Sequence, residues 1–167
     1  GPQGATGPQG LQGPQGIAGQ NGTNGLSAVV ASISNEAHVV PASSAGVVSS
    51  YSGSGAQIQV FEGSSPLTFV TGTAAAGQFS IGTPTVSPTG KLTVGARSGG
   101  GTTMATVADH SAMDGATDSV VITYPLTIKR SNGDTVTLSL TQTITKAKTG
   151  STGATGSDGA DATAYWL

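Results

Sequence analysis

SVVITYPLTIKRSNGDTVTLSLTQTIT, residues 119–145, is the stretch that decides the fold class. In its second half Val136, Leu138, Leu140 and Ile144 fall on one side, and Thr137, Ser139, Thr141, Thr143 and Thr145 on the other. That period of two is the mark of a half-buried strand. Val120, Ile122, Tyr124, Leu126 and Ile128 alternate in the same way upstream. Between the two runs, Ser131-Asn132-Gly133-Asp134 supplies the Asn-Gly pair that a two-residue type I′ turn demands, so the runs are predicted to form a hairpin. Pro125 lies on the outward face of the first strand and predicts an edge or a bulge there.

Working outward, shorter strands are predicted at 28–33, 37–40, 56–62, 67–70, 78–81, 91–96 and 103–108. Gly-Ser-Ser-Pro at 63–66, Ser-Pro-Thr-Gly at 87–90 and Ser-Gly-Gly-Gly at 98–101 mark turns between them. The segment is rich in Ser, Thr, Gly and Val, which favours strands over helices. Short strands punctuated every ten residues or so predict an all-β domain, an Ig-like β-sandwich over residues 28–149, with a jelly roll as the alternative. Phe61, Phe69, Phe79 and Tyr124 are expected in its core. No cysteine is present and the one tryptophan is Trp166, so the Cys and Trp hallmarks of antibody domains are absent from this segment and "Ig-like" describes architecture only.

Both flanks obey a different rule. Glycine stands at 1, 4, 7, 10, 13, 16, 19, 22 and 25 without exception. Three polyproline-II-like chains wound together bring every third residue to a crowded axis where only glycine fits, so residues 1–27 predict a collagen-like triple helix. Pro2, Pro8 and Pro14 each follow a glycine, where a fixed φ lowers the entropy cost of ordering. At about 3 Å per residue the run would make a rod of roughly 80 Å. The phase returns at Gly150, Gly153, Gly156 and Gly159, predicting a short second triple helix over 150–161, with Asp158 and Asp161 in third positions. Residues 162–167 resemble the lead-in to the first bead, and Trp166 is expected to begin a further domain of a longer chain.

Composition excludes several function classes. Lysine and arginine number 6, aspartate and glutamate 8, and the only one of these four residue types before Glu62 is Glu36. No basic patch invites nucleic acid, and no run of about 18 apolar residues would insert in a membrane.

The wording SISNEAHVVPASSAGVVSSYSGSGAQIQVFEG, followed by TVADHSAMDGATDSVVITYPLTIKRSNGDTVTLSLTQTITKAKTG, resembles modules repeated in bacteriophage tail fibres and central tail fibre proteins. Collagen-like linkers such as GPQGATGPQG and GATGSDGADA sit beside such modules. The resemblance covers nearly the whole chain. It implies a homotrimeric structural segment of a virion appendage used in host attachment, partnered by itself and by other tail or fibre proteins, and meeting the bacterial cell surface only indirectly. It brings no catalytic residue, metal or cofactor. A bacterial collagen-like surface adhesin or filament is the alternative on a cell instead of a virion, and a carbohydrate-binding module is the alternative from another class.

The polar cluster Asp109-His110-Ser111 is the one stretch that invites catalytic thinking. Nucleophilic catalysis needs a base bonded to the nucleophile and a third group orienting the base. Adjacent residues at a strand end point in opposite directions, so no relay is expected among these three. Asp109, Asp114 and Asp118 could gather oxygen ligands for calcium at one end of a sandwich, although the spacing of a dedicated loop is absent. His38 and His110, the only histidines, could meet their copies on a threefold axis and bind an ion there. Tyr51 is the single aromatic in a plausible loop for gripping a sugar. The Asn21-Gly22-Thr23 sequon carries little weight within a collagen run.

Overall fold

The computed structural model describes residues 25–156, together with residues 1–5, 7, 12 and 15. The intervening collagen-like triplets, residues 157–161 of the second run, and the segment 162–167 with Trp166 lie outside the described residues.

The described chain is all-β and has no helix. Its eleven strands are β1 (Val29–Ile33), β2 (Ala37–Ala42), β3 (Ala56–Glu62), β4 (Ser65–Pro66), β5 (Thr68–Val70), β6 (Gln78–Ile81), β7 (Thr85–Ser87), β8 (Arg97–Ser98), β9 (Ala105–Val107), β10 (Ser119–Lys129) and β11 (Thr135–Lys148). They form two sheets in a sandwich-like arrangement. One has the order β1-β3-β9-β8, with β4 also on β3; the other has the order β2-β11-β10-β6-β5, with β7 also on β10. The opening strand is divided between them: β1 pairs antiparallel with β3 in one sheet, and β2 pairs parallel with β11 in the other.

The long hairpin forms as expected, running from Ser119 opposite Thr145 to Lys129 opposite Thr135, one residue away from the register that a two-residue Asn-Gly turn would set. Val120, Ile122, Tyr124, Leu126 and Ile128 are buried, while Val136, Leu138 and Leu140 pack half-buried against the core. Between the sheets Phe69 and Phe79 meet at a ring separation of 5.4 Å, tilted by 43°, within the range aromatic pairs prefer.

Three expectations are corrected, and a fourth, at Pro125, is narrowed to one of its two alternatives. The turn is not type I′, because that geometry needs positive φ at both central residues, and of the pair only Gly133 has it (φ 91°). Arg130 N–H donates to Asp134 C=O and Gly133 N–H to Arg130 C=O, which makes a three-residue loop ending on a left-handed glycine. Pro125 is not on an edge strand, since β10 has β11 on one side and β6 and β7 on the other. Its neighbour bulges instead: Ile81 faces Leu126 and Thr85 faces Thr123, so three residues oppose two. The bond that a proline cannot donate falls where the ladder is already interrupted. Phe61 is half-buried on the outward face of β3, opposite Val30, and outside the core. The strand expected at 91–96 is reduced to one bridge between Thr93 and Ser111, while β7 and β8 form on either side of it. Gly95 explains this, because its N–H is given to the His110 side chain and not to a strand.

Candidate functional site

The bead has two poles, where the chain enters and where it leaves. At the entry pole Ser27 C=O accepts from the Arg130 guanidinium at 2.8 Å, and Ala28 C=O accepts from Gly63 N–H at 2.7 Å. Arg130 also holds Glu62 at 3.1 Å, with both side chains nearly buried. Ser131 adds its N–H and hydroxyl to the same carboxylate, at 2.9 and 2.8 Å. These donors, the Ser131 amide foremost, hold the Glu62 carboxyl below the usual carboxylate range. The hairpin tip is therefore a clamp on the last residues before β1.

The exit pole lies at the other end of β11. Thr149 N–H donates to Ala42 C=O at 2.9 Å, tying the departing chain to β2. The Lys146 ammonium, nearly buried, donates to the Asp114 and Gly115 carbonyls, and Lys148 pairs with Asp118. Gly46 is pressed so closely onto Gly115 that a Cβ would stand 2.0 Å from the carbonyl oxygen. Arg130 stands before the first residue of β11 and Thr149 follows its last. Fourteen residues of strand separate them, about 45 Å at roughly 3.3 Å per residue.

Between the poles, the Asp109-His110 pair holds the loop 49–55 to the core. Asp109 accepts from Gly55 N–H at 2.8 Å and Gly53 N–H at 3.2 Å, and these amides lower its pKa. His110 points the other way and is 2% exposed. Gly95 N–H donates to its Nδ1 at 3.1 Å, so the ring proton sits on Nε2, which donates to Gln142 Oε1 at 2.9 Å. The Tyr124 hydroxyl donates to that same oxygen at 2.9 Å, Gln142 Nε2 donates to Ser54 C=O at 2.8 Å, and the Ser54 hydroxyl accepts from His110 N–H at 2.9 Å. Every partner is used, and no buried side-chain nitrogen or oxygen among the described residues is left unpaired. Burial holds the His110 pKa below its ordinary value and pushes the Tyr124 hydroxyl up.

The residues singled out from sequence thus take separate stations. Neither ring nitrogen of His110 is directed at Asp109 or Ser111, and Ser111 is an exposed residue bridged to Thr93. Asp114 accepts from Lys91 at 3.2 Å and from Ala116 N–H at 3.0 Å, with Lys91 the main cause of its lowered pKa. Asp109, Asp114 and Asp118 each have their own partner, and among the described residues no group of three or more potential ligands is placed to hold a metal ion. His110, being buried, has no access to copies of itself on an axis, which corrects that expectation. His38 lies beside Gly53 and is half-buried. Tyr51 is in a loop as expected, but its hydroxyl accepts from Met113 N–H at 2.6 Å and its ring packs on the core. Gln142 was invisible in the alternation, because a glutamine between Leu140 and Ile144 reads as a break and not as a member of the buried row.

No helix among the described residues is long and apolar enough to cross a membrane. No protein-family model, curated protein or solved structure matches the chain.

Proposed function

We propose that this chain is a shaft segment of a homotrimeric fibre, a rigid bead spliced in line between two collagen-like triple-helical stalks. The observation that carries the reading is the placement of the poles. One glycine-phased run ends at Gly25, next to the Arg130 clamp, and the other begins at Gly150, about 45 Å away along β11. A rod that enters one end of a bead and leaves the other transmits length and force along one line. The strand order supports an Ig-like sandwich over a jelly roll: β1-β3-β9-β8 faces β2-β11-β10-β6, with the last two strands central to the second sheet.

The glycines at 1, 4, 7, 25, 150, 153 and 156 support the triple helix indirectly. A Cβ at any of them would meet nothing within 4 Å in the single chain, so the reason for glycine lies outside it, as a threefold axis would provide. The sequence resemblance supports placing the fibre on a bacteriophage tail, where it would position receptor-binding parts for host attachment. The same shaft on a bacterial surface is the variant of this reading, and the bead has no catalytic role in either. A sugar-gripping role loses support because Tyr51, its one aromatic, is anchored to the Met113 backbone.

Native mass spectrometry of residues 1–167 tests the architecture. Three chains per particle are expected, and a monomer at micromolar concentration would overturn it. Deleting residues 28–149 within the full fibre joins the stalks with glycine phase kept, because Ser27 ends one triplet and Gly150 starts another. The fibre should shorten by about 45 Å and still adsorb to its host. A trimer of the shortened fibre that no longer adsorbs would make the bead a receptor-binding domain.

A further inference from the structure

The exposed large hydrophobic residues among the described residues are Leu26, Val30, Val39, Val47 and Val121. Four of the five belong to one continuous segment, from the entry stalk through β1 and β2 to the loop beyond. β1 is the edge of one sheet and β2 the edge of the other, so this segment forms one whole side of the sandwich. Leu26, Val39 and Val47 are each about 60% exposed (65%, 59% and 64%). An edge strand presents unpaired backbone groups, and proteins usually protect such edges with charge. Neither β1 nor β2 contains an acidic or basic residue other than His38, and Glu36 is the only other one from Leu26 to Phe61. A groove of about 420 Å³ continues the side at the exit pole, lined by Pro41, Val47 and Ala147 among others.

The same side holds both poles. Ser27 runs directly into β1, and Thr149 is bonded to Ala42 at the end of β2. Consecutive Cα atoms are about 3.8 Å apart, so Thr149 cannot lie far from Gly150, nor Leu26 from Gly25. If those glycines sit at the axis of a triple helix, the two ends of the β1–β2 side are drawn onto that axis too. A valine-bearing, almost charge-free edge held along a threefold axis has one natural occupant.

We propose that the β1–β2 side of the bead is the surface on which the three copies of this chain meet, its valines packing around the fibre axis. The proposal rests on the trimeric reading above and adds the face and its residues. Burial of apolar surface there would supply association energy that short, proline-poor stalks lack. Arg97, on β8 at the far edge of its sheet, lies off this side and would remain in solvent.

The chain has no cysteine, so single cysteines are clean probes. In the full chain, Val39→Cys and Val47→Cys should each be joined between chains by a short bis-maleimide. Ser98→Cys, exposed on β8 at the far edge of its sheet, should be joined at least about tenfold less, since cross-linking falls steeply with thiol separation. A second arm uses Val39→Glu with Val47→Glu: three converging copies of each charge should make the trimer dissociate at a concentration at least about tenfold higher. Should native mass spectrometry give a trimer in which Ser98→Cys cross-links and the valine positions do not, the face is wrong and the trimer stands. A trimer that cross-links at none of the three positions likewise overturns the face. A monomeric parent chain removes the trimer and the face together.

Discussion

Glycine does opposite work in the stalks and in the bead. At Gly95 an added Cβ would stand 1.9 Å from the Ala108 carbonyl oxygen, and at Gly55 it would stand 2.4 Å from that of Val107. The bead needs these glycines because its own backbone occupies the space. At Gly25, Gly150, Gly153 and Gly156 the space is open, and none of the four has positive φ. Their spacing is strict where the single chain makes no demand. Irregular glycines with reasons inside the chain mark a globular packing problem, whereas regular glycines with no such reason mark an assembly problem.

The comparison predicts the largest loss at Gly95. Gly95→Ala forces backbone against backbone next to the bond from its N–H to His110. Strain of that kind belongs with the most damaging single substitutions, about 4 kcal/mol or more. Thermal unfolding followed by near-ultraviolet dichroism of Tyr124 and its neighbours should reveal a bead largely unfolded or melting far lower. A variant as stable as the parent would mean that the close approach at Gly95 is not real.

Next in size is the polar network that this glycine helps to hold. Gln142→Leu removes the acceptor of two donors, His110 Nε2–H and the Tyr124 hydroxyl, and strands Ser54 C=O. Unsatisfied buried groups cost about 1–3 kcal/mol each, although relaxation shares the loss, so a fall of about 3 kcal/mol is expected. Tyr124→Phe removes only one donor and leaves Gln142 its His110 partner, so about 1 kcal/mol is expected there. Equal effects from the two substitutions would mean that Gln142 does not join the network together.

Acid should act on the same network. His110 is held below its ordinary value of 6.5 by burial, and its Nδ1 is occupied by a donor. The unfolded chain therefore binds a proton at a pH where the folded chain does not, and stability rises with pH in that window. The bead should hold full stability above about pH 6.5 and lose some of it as pH falls toward the lower folded-state value. Asp109, Asp114 and Glu62, with lowered values, contribute at higher pH and lose that contribution only as pH falls through their own folded-state values. Melting temperature against pH should thus decline in two stages. His110→Asn would remove the upper stage, and a decline that persists unchanged would assign it to another group.

Much of the bead was legible because the strands that matter most obey a simple period. The hairpin strands, β3 and β6 were readable from alternation, since burial on one face leaves an alternating trace in composition. What failed was decided by side chains reaching across the chain. The segment 91–96 has strand-like residues, yet its middle N–H goes to an imidazole 15 residues away. Tyr51 looked free because nothing local reveals that Met113, 62 residues on, takes its hydroxyl. Gln142 looked like a lapse in an apolar row because the partners that justify it, Ser54, His110 and Tyr124, lie in three other places. The poles were predicted only as composition boundaries; their opposite placement needed the hairpin's length and direction.

The smallest effect on the bead, and the sharpest test of the contrast, is expected at Gly153. A methyl there meets no atom within 4 Å, and the residue is joined to the bead only through the chain beyond Thr149. Gly153→Ala should therefore leave the bead's melting within about 0.5 kcal/mol of the parent, as for other substitutions away from packed sites. In the proposed triple-helical stalk the same methyl would point at a crowded axis and should disrupt the local winding. The expected result is a split: unchanged near-ultraviolet signal from the bead, with a lower melting point for the polyproline-type signal of the stalk, both read on one sample of the full chain. Loss of bead stability would mean that Gly153 has a packing role in the single chain, which would erase the contrast with Gly95. No change in either signal would mean that the period at this end serves no axis, and residues 150–161 would then be a tether in place of a second rod.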